Sequence, residues 1–177
     1  MRAKANQKSK LIDVVNVVGF DPGTNDGFGF SGLRIEDGKL YCVRSGTWFL
    51  KRDGFEGAGM QMLKLGNYIR DFFQVMMYDS IKTVCVYELN KFQAGKTAAA
   101  VNGAVIRKIM EECELYQIPY AGLEPSKARK HAFGNGSIKK KEIKSILEDM
   151  FEVEFDTENA SDAAAVALGF VNQMGWI

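Results

Sequence analysis

No apolar run in this chain is long enough to cross a membrane: the longest, such as residues 160–171, fall well short of the ~20 residues a spanning helix needs. No secretory leader is recognisable either. The N-terminal MRAKANQKSK is basic, but Asp13 and Asn16 interrupt the apolar segment LIDVVNVV that follows it, where a leader needs an unbroken apolar stretch. Cysteine is scarce: Cys42, Cys85 and Cys113 are odd in number and far apart. That spacing excludes a disulfide framework and a CxxC metal site, and it points to a reducing compartment and a packing role. With 3 prolines and 46% apolar residues, extended disorder is not the theme. An excess of one charge is missing too, since 23 Lys and Arg face 22 Asp and Glu for a net charge of +1, so bulk charge gives no polyanion signature. What remains is a globular protein expected in the cytoplasm, away from membranes. Its 177 residues suit one domain, 13–177, behind a basic flexible tail, 1–12, and are too few for a two-domain enzyme.

The charge is separated along the chain even though it balances. Residues 127–144 carry seven Lys or Arg against Glu142 alone, whereas 148–158 hold Glu148, Asp149, Glu152, Glu154, Asp156 and Glu158. A neutral protein divided in this way can still hold a polyanion locally. DVVNVVGF is valine-rich and reads as a strand ending near Asp21; FGFSGLRI and KLYCVRSGTWF alternate around EDGK, whose Asp37-Gly38 suits a tight hairpin. Apolar residues recur at helical spacing over 56–78 and again over the alanine-rich 97–115. KTVCVYE and Ile118–Leu123 read as two further strands. KKKEIKSILEDMF and SDAAAVALGFVNQM close the chain as helices. Three strands, helix, strand, helix, strand and then helices describe an α/β fold: a five-stranded mixed sheet, its first three strands antiparallel, flanked by helices.

Three acids share a peculiar context. Asp21 closes the first strand, Glu88 closes the fourth, and Asp162 stands at the start of an otherwise apolar helix. If the first and fourth strands are parallel neighbours, their ends meet at one edge of the sheet, and the last helix can bring Asp162 over the same point. Converging carboxylates raise one another's pKa unless a cation lies among them. Oxygen ligands of this kind suit Mg²⁺ or Mn²⁺ and not zinc. Two such ions about 4 Å apart would clamp the attacking water and the leaving oxygen of a phosphodiester.

These segments carry a family resemblance over residues 14–172. GFDPGT, VCVYELNKF, GLEPSKARKHAFGNGSIKKKEI and ASDAAAVALGF resemble, in order and spacing, the motifs of RuvC-type Holliday junction resolvases, members of the RNase H-like (retroviral integrase) superfamily. The resemblance implies an RNase H-like fold and a Mg²⁺-dependent endodeoxyribonuclease, Mn²⁺ substituting, with two ions per site. Its expected substrate is the four-way junction, resolved by paired symmetric nicks, so a homodimer is implied. The tail and segment lengths suggest a phage or prophage variant. Asp21, Glu88 and Asp162 fall at metal-binding positions. The family places an acid or histidine three residues before the last aspartate; here that residue is Asn159, with Glu158 one position earlier. Either could complete the ligand set, Glu158 being preferred; Asp26 is a more distant candidate. The rival readings are an RNase H-like nuclease acting on RNA or other branched DNA, and a catalytically inactive junction-binding protein.

The basic segment supports the same reading, because clustered Lys and Arg release counterions from DNA on binding. By motif position Arg129 and Lys140 would face the scissile phosphate, and Lys130, Lys139 and Lys141 the neighbouring backbone. Gly134 and Gly136 would let backbone N–H groups approach a phosphate. Phe92 would stack on or wedge between bases. His131, the only histidine, receives no catalytic duty. AGKTAAA fails as a phosphate-binding loop because Asn90 stands where its first glycine is needed. The helix 97–113, where Gly103 permits close approach, is a candidate dimer surface, with packing on the sheet as the alternative.

Overall fold

In a computed structural model, residues 14–23, 27–51, 54, 57–89 and 95–177 are described; the expected tail, residues 1–12, lies outside them. The chain runs β1 (Val14–Asp21), β2 (Phe28–Glu36), β3 (Lys39–Trp48), α1 (Ala58–Met76), β4 (Lys82–Glu88), α2 (Lys96–Leu115), β5 (Tyr120–Leu123), α3 (Pro125–Phe133), α4 (Lys140–Phe151) and α5 (Glu158–Met174). One five-stranded sheet has the order β3-β2-β1-β4-β5. β1, β2 and β3 pair antiparallel, whereas β4 and β5 run parallel to β1. At the β2–β3 turn Asp37 and Gly38 both have positive φ, 52° and 70°, the backbone that a tight hairpin needs and that Asp-Gly supplies at low cost.

Successive strand residues face opposite sides of the sheet, so the sheet separates two apolar clusters. Val15, Val17, Leu33, Ile35 and Val86 face α3, α4 and α5. Val18, Phe20, Phe28, Phe30 and Cys85 face α1 and α2. On the second side, the Arg70 guanidinium of α1 grips the fully buried Glu112 carboxylate of α2 through two hydrogen bonds, 2.7 and 2.9 Å. Gly66 leaves room for this clamp, since a Cβ there would lie 2.8 Å from Glu112 Oε1. The free thiols of Cys85 and Cys113 are buried in the same layer, in keeping with the packing role expected of them.

The packing of α5 matters most for the site. Its inner face is Ala160, Ala163, Ala164 and Ala167, all fully buried. It rests so closely on the sheet that a Cβ at Gly19 would overlap the Ala163 carbonyl, and one at Gly29 the Asn159 carbonyl. Small residues on both partners thus let helix and strand backbones touch.

Several elements differ from the sequence expectation at their ends. The basic stretch after Pro125 is itself a helix, α3, because Pro125 opens its first turn and Gly134 closes it in the left-handed conformation, φ 74°. Gly136 packs against the Ser126 carbonyl, so both glycines of the loop also have structural duties. Helix α5 starts three residues early, at Glu158, because Thr157 caps it by accepting a hydrogen bond from the Ala160 N–H. Among the described residues no helix is long and apolar enough to cross a membrane.

Candidate active site

Strand parity builds the first half of the site. Val15, Val17, Gly19 and Asp21 alternate onto the α5 face of β1, and Val86 and Glu88 onto the same face of β4. Because β1 and β4 run parallel with Gly19 opposite Val86 and Phe20 opposite Tyr87, Asp21 and Glu88 end neighbouring strands side by side. Helix α5 brings the third acid. Its closest approach to β1 and β2 falls at Asn159 and Ala163, and Asp162 lies between them. All three carboxylates are buried, Asp162 most deeply at 2% exposure.

Two cations face this group. The Lys140 ammonium, at the first turn of α4, forms an ion pair with Asp162 Oδ2. Arg129, on α3, is near enough to lower the Asp21 pKa. The balance is nonetheless unfavourable to negative charge. Burial above all, then repulsion from Glu88 and Asp162, pushes the Asp21 carboxyl up to about 7, and Lys140 and Arg129 only partly offset this. Burial works against the Lys140 charge, but its bond to Asp162 and the attraction of Asp21 and Glu88 outweigh burial and hold the ammonium above the ordinary lysine value.

The donor chemistry fits a hard divalent cation. Apart from the Lys140 ion pair, neither buried oxygen of Asp162 has a hydrogen-bond partner among the described residues, and an unpartnered buried carboxylate costs free energy unless a cation compensates it. The carboxylates are not drawn into a closed cage, since among the described residues no three His, Cys, Asp or Glu side chains surround a common point. Lys140 answers Asp162 in that arrangement, a direct pairing that the sequence reading, which aimed Lys140 at phosphate, does not contain.

The two residues competing for the last ligand position are placed differently. Glu158 is exposed on the first turn of α5. Asn159 is half-buried, and its Nδ2 donates to the Gly27 carbonyl, 3.2 Å, on the β2 side of Asp21. The regular start of α5 behind Thr157 gives no shifted turn of the kind that would turn Glu158 inward. Lys130, Lys139 and Lys141 are exposed around Arg129 and Lys140. Phe92 and Asp26 lie outside the described residues. The glycines that let α5 descend, Gly19 and Gly29, were not singled out in the sequence. Their signal was present as glycine in two strands facing an alanine-rich helix.

A family model described as crossover junction endodeoxyribonuclease RuvC matches residues 17–170. Among solved structures, the chain is similar to Thermus thermophilus RuvC, with 17% identity and a TM-score of 0.75 over 90% of this chain and 96% of that one. It is also similar to T. thermophilus RuvC in complex with Holliday junction substrate, at 16% identity and a TM-score of 0.72 over 92% and 97% of the two chains. The yeast mitochondrial Holliday junction resolvase follows with 14% identity and a TM-score of 0.62 over 90% of this chain and 79% of its own. No curated protein matches the sequence. The shared architecture is the RNase H-like fold that the family resemblance implies, on the five-stranded mixed sheet expected from the order of elements.

Proposed function

The chain belongs to the crossover junction endodeoxyribonuclease RuvC family, and on that premise we propose that it cuts four-way DNA junctions by hydrolysing one phosphodiester in each of two symmetric strands. The observation that carries this reading is the meeting of Asp21, Glu88 and the deeply buried Asp162 at one end of the sheet, beside Lys140 and Arg129. Asp21, Glu88 and Asp162 would hold Mg²⁺, two ions per site with Mn²⁺ able to substitute, and Glu158 or Asn159 would complete the set. Bound there, the metal would supply an activated water and neutralise charge on the leaving 3′ oxygen.

The chain's own residues do the rest. Lys140 and Arg129 face the scissile phosphate and stabilise the negative charge that develops on it. Lys130, Lys139 and Lys141 hold the flanking backbone, giving affinity that falls steeply with salt. Two nicks related by two-fold symmetry call for a homodimer. Gly103 of α2 is exposed with no atom within 4 Å of a built Cβ, and exposed alanines surround it, which suits α2 to that contact. The working compartment is the cytoplasm of a bacterial cell or phage-infected host, where junction DNA lies.

The test is cleavage of a synthetic four-way junction, with and without Mg²⁺ or Mn²⁺, by wild type and by Asp21→Asn, Glu88→Gln and Asp162→Asn. Metal-dependent paired nicks in wild type, lost in each variant while binding persists, are expected. Equal or better cutting of Y-shaped DNA or RNA would overturn the junction assignment. Binding by all four proteins with no cutting by any would identify an inactive junction-binding protein.

A further inference from the structure

At the β3 side of the same sheet end an aromatic ring stands in solvent. Phe49, the residue after β3, is 57% exposed, although both of its neighbours are anchored. Trp48 stacks on Phe30 with ring centroids 4.3 Å apart and on Tyr68 at 5.6 Å. Leu50 is buried at 1% exposure, and its carbonyl accepts a 2.6 Å hydrogen bond from Gln61 Nε2. The chain therefore fixes Phe49 by its neighbours while leaving more than half of the residue uncovered.

Its position ties it to the site. Gly29 pairs with both Asp21 and Thr47, and Phe28 pairs with Trp48, so Thr47 ends the row of residues that starts at Glu88 and Asp21, and Phe49 stands two residues beyond it. Phe49 Cε1 and Asn159 Nδ2 each lie 3.4 Å from a Cβ built on Gly27, which places the ring beside Asn159, three residues from Asp162. Two interstrand spacings of about 4.8 Å and two residues along the strand at about 3.3 Å put Phe49 roughly 12 Å from Asp21. That is about three nucleotides of a stacked strand at ~3.4 Å each. The cations Arg129 and Lys140 attend the carboxylates from α3 and α4, and the aromatic ring rims the same site from the end of β3.

We propose that Phe49 is a base-stacking contact of the nuclease, receiving the face of a nucleobase within about three nucleotides of the cut. Duplex DNA buries its base faces in the helical stack, whereas a branch point leaves faces that a ring can cover. Phe49 thereby favours branched over continuous duplex DNA, and the proposal rests on the junction-cutting reading above.

The experiment uses the full-length protein and four-way junctions carrying a single 5-iodouracil at each position within five nucleotides of the cut. Irradiation without divalent metal, followed by mass spectrometry, should join the base to Phe49 at one or two positions. Phe49→Leu, which keeps apolar bulk and removes the π face, should lose that cross-link and weaken junction binding about 5- to 150-fold, the range for one stacked base. Phe49→Trp should restore both. The slope of log Kd against log salt should stay unchanged, because no phosphate contact is removed. Cross-links only to other residues, or a Phe49→Leu affinity within two-fold of wild type, would overturn the proposal. Failure of the parent reading has a separate signature: wild type itself would neither bind nor cut any junction, and the proposal would fall with it before any variant was made.

Discussion

Replacing Asp21 by Asn should stabilise the metal-free protein, and increasingly so as pH rises. Burial and two neighbouring carboxylates hold the Asp21 pKa at about 7 against an ordinary value of 3.8. A shift of roughly three units at ~1.4 kcal/mol each sets an upper bound of about 4 kcal/mol on the cost of ionising this group in the folded state. Because the folded pKa is raised, the folded protein holds this proton more tightly than the unfolded chain does. The group's contribution is therefore fully present below about pH 4 and is lost as pH rises through 7. About 2–3 kcal/mol of that loss falls between pH 5 and pH 8. Urea denaturation in EDTA at several pH values, on wild type and Asp21→Asn in parallel, isolates this group together with its coupling to Glu88 and Asp162, since titrations elsewhere in the two proteins cancel in the difference. The variant should gain about 2–3 kcal/mol on wild type across that window, equivalent to roughly 4–12 °C in Tm. Saturating Mg²⁺ should close much of the gap at pH 8 by compensating the ionised carboxylates. A variant less stable than wild type throughout, or a difference that does not grow with pH, would refute the reasoning.

Lys140→Ala should lower the cleavage rate constant about 10²- to 10³-fold in single-turnover assays and reduce the salt slope of junction binding by about one. The same variant should show larger Mg²⁺-induced stabilisation in calorimetry, because Asp162 loses its resident cation. Gly29→Ala should cost about 3 kcal/mol in urea denaturation and suppress cleavage, because a Cβ there meets the Asn159 carbonyl and must lift α5 away from Asp21. Arg70→Ala should cost about 3 kcal/mol by leaving the buried Glu112 carboxylate without its bidentate partner, and Arg70→Met combined with Glu112→Leu should recover most of that. Gly103→Arg on α2 should leave the unfolding midpoint nearly unchanged while shifting sedimentation toward monomer.

The strands and most helices were legible in the sequence because their signals are strong: valine richness in β1, alternation in β2 and β3, three- and four-residue spacing in α1 and α2. The pairing of Asp21 with Glu88 was also within reach, since parallel neighbours that both end in an acid must present the acids at one edge. Two things were not legible. Helix α3 was hidden because the first turn after Pro125 reads as a string of charges with little apolar periodicity, and only Ala128 is buried in it. The Lys140–Asp162 pair was hidden because it joins residues 22 apart in sequence on two helices, through a packing angle that no local pattern encodes. The placement of Glu158 and Asn159 depends on a detail of similar kind, the Thr157 cap that sets where α5 begins.

That cap connects packing to chemistry. A helix start shifted by one residue turns every side chain on α5 by about 100°, carrying Asp162 off the sheet end and placing Ser161 or Ala163 there. The register is fixed from two sides: the Thr157 hydroxyl, which meets both the Ala160 N–H and the Thr47 hydroxyl, and the backbone approaches at Gly19 and Gly29. The backbone approaches at Gly19 and Gly29 cannot be accommodated by a rotamer change. A long apolar residue on α5 would pack against the sheet with more buried area, but it would hold the helix farther out and let it rotate. The alanines sacrifice that area for position, and a buried aspartate is tolerable in the middle of them because its place beside Lys140, Asp21 and Glu88 is set by the backbone and not by its own side chain.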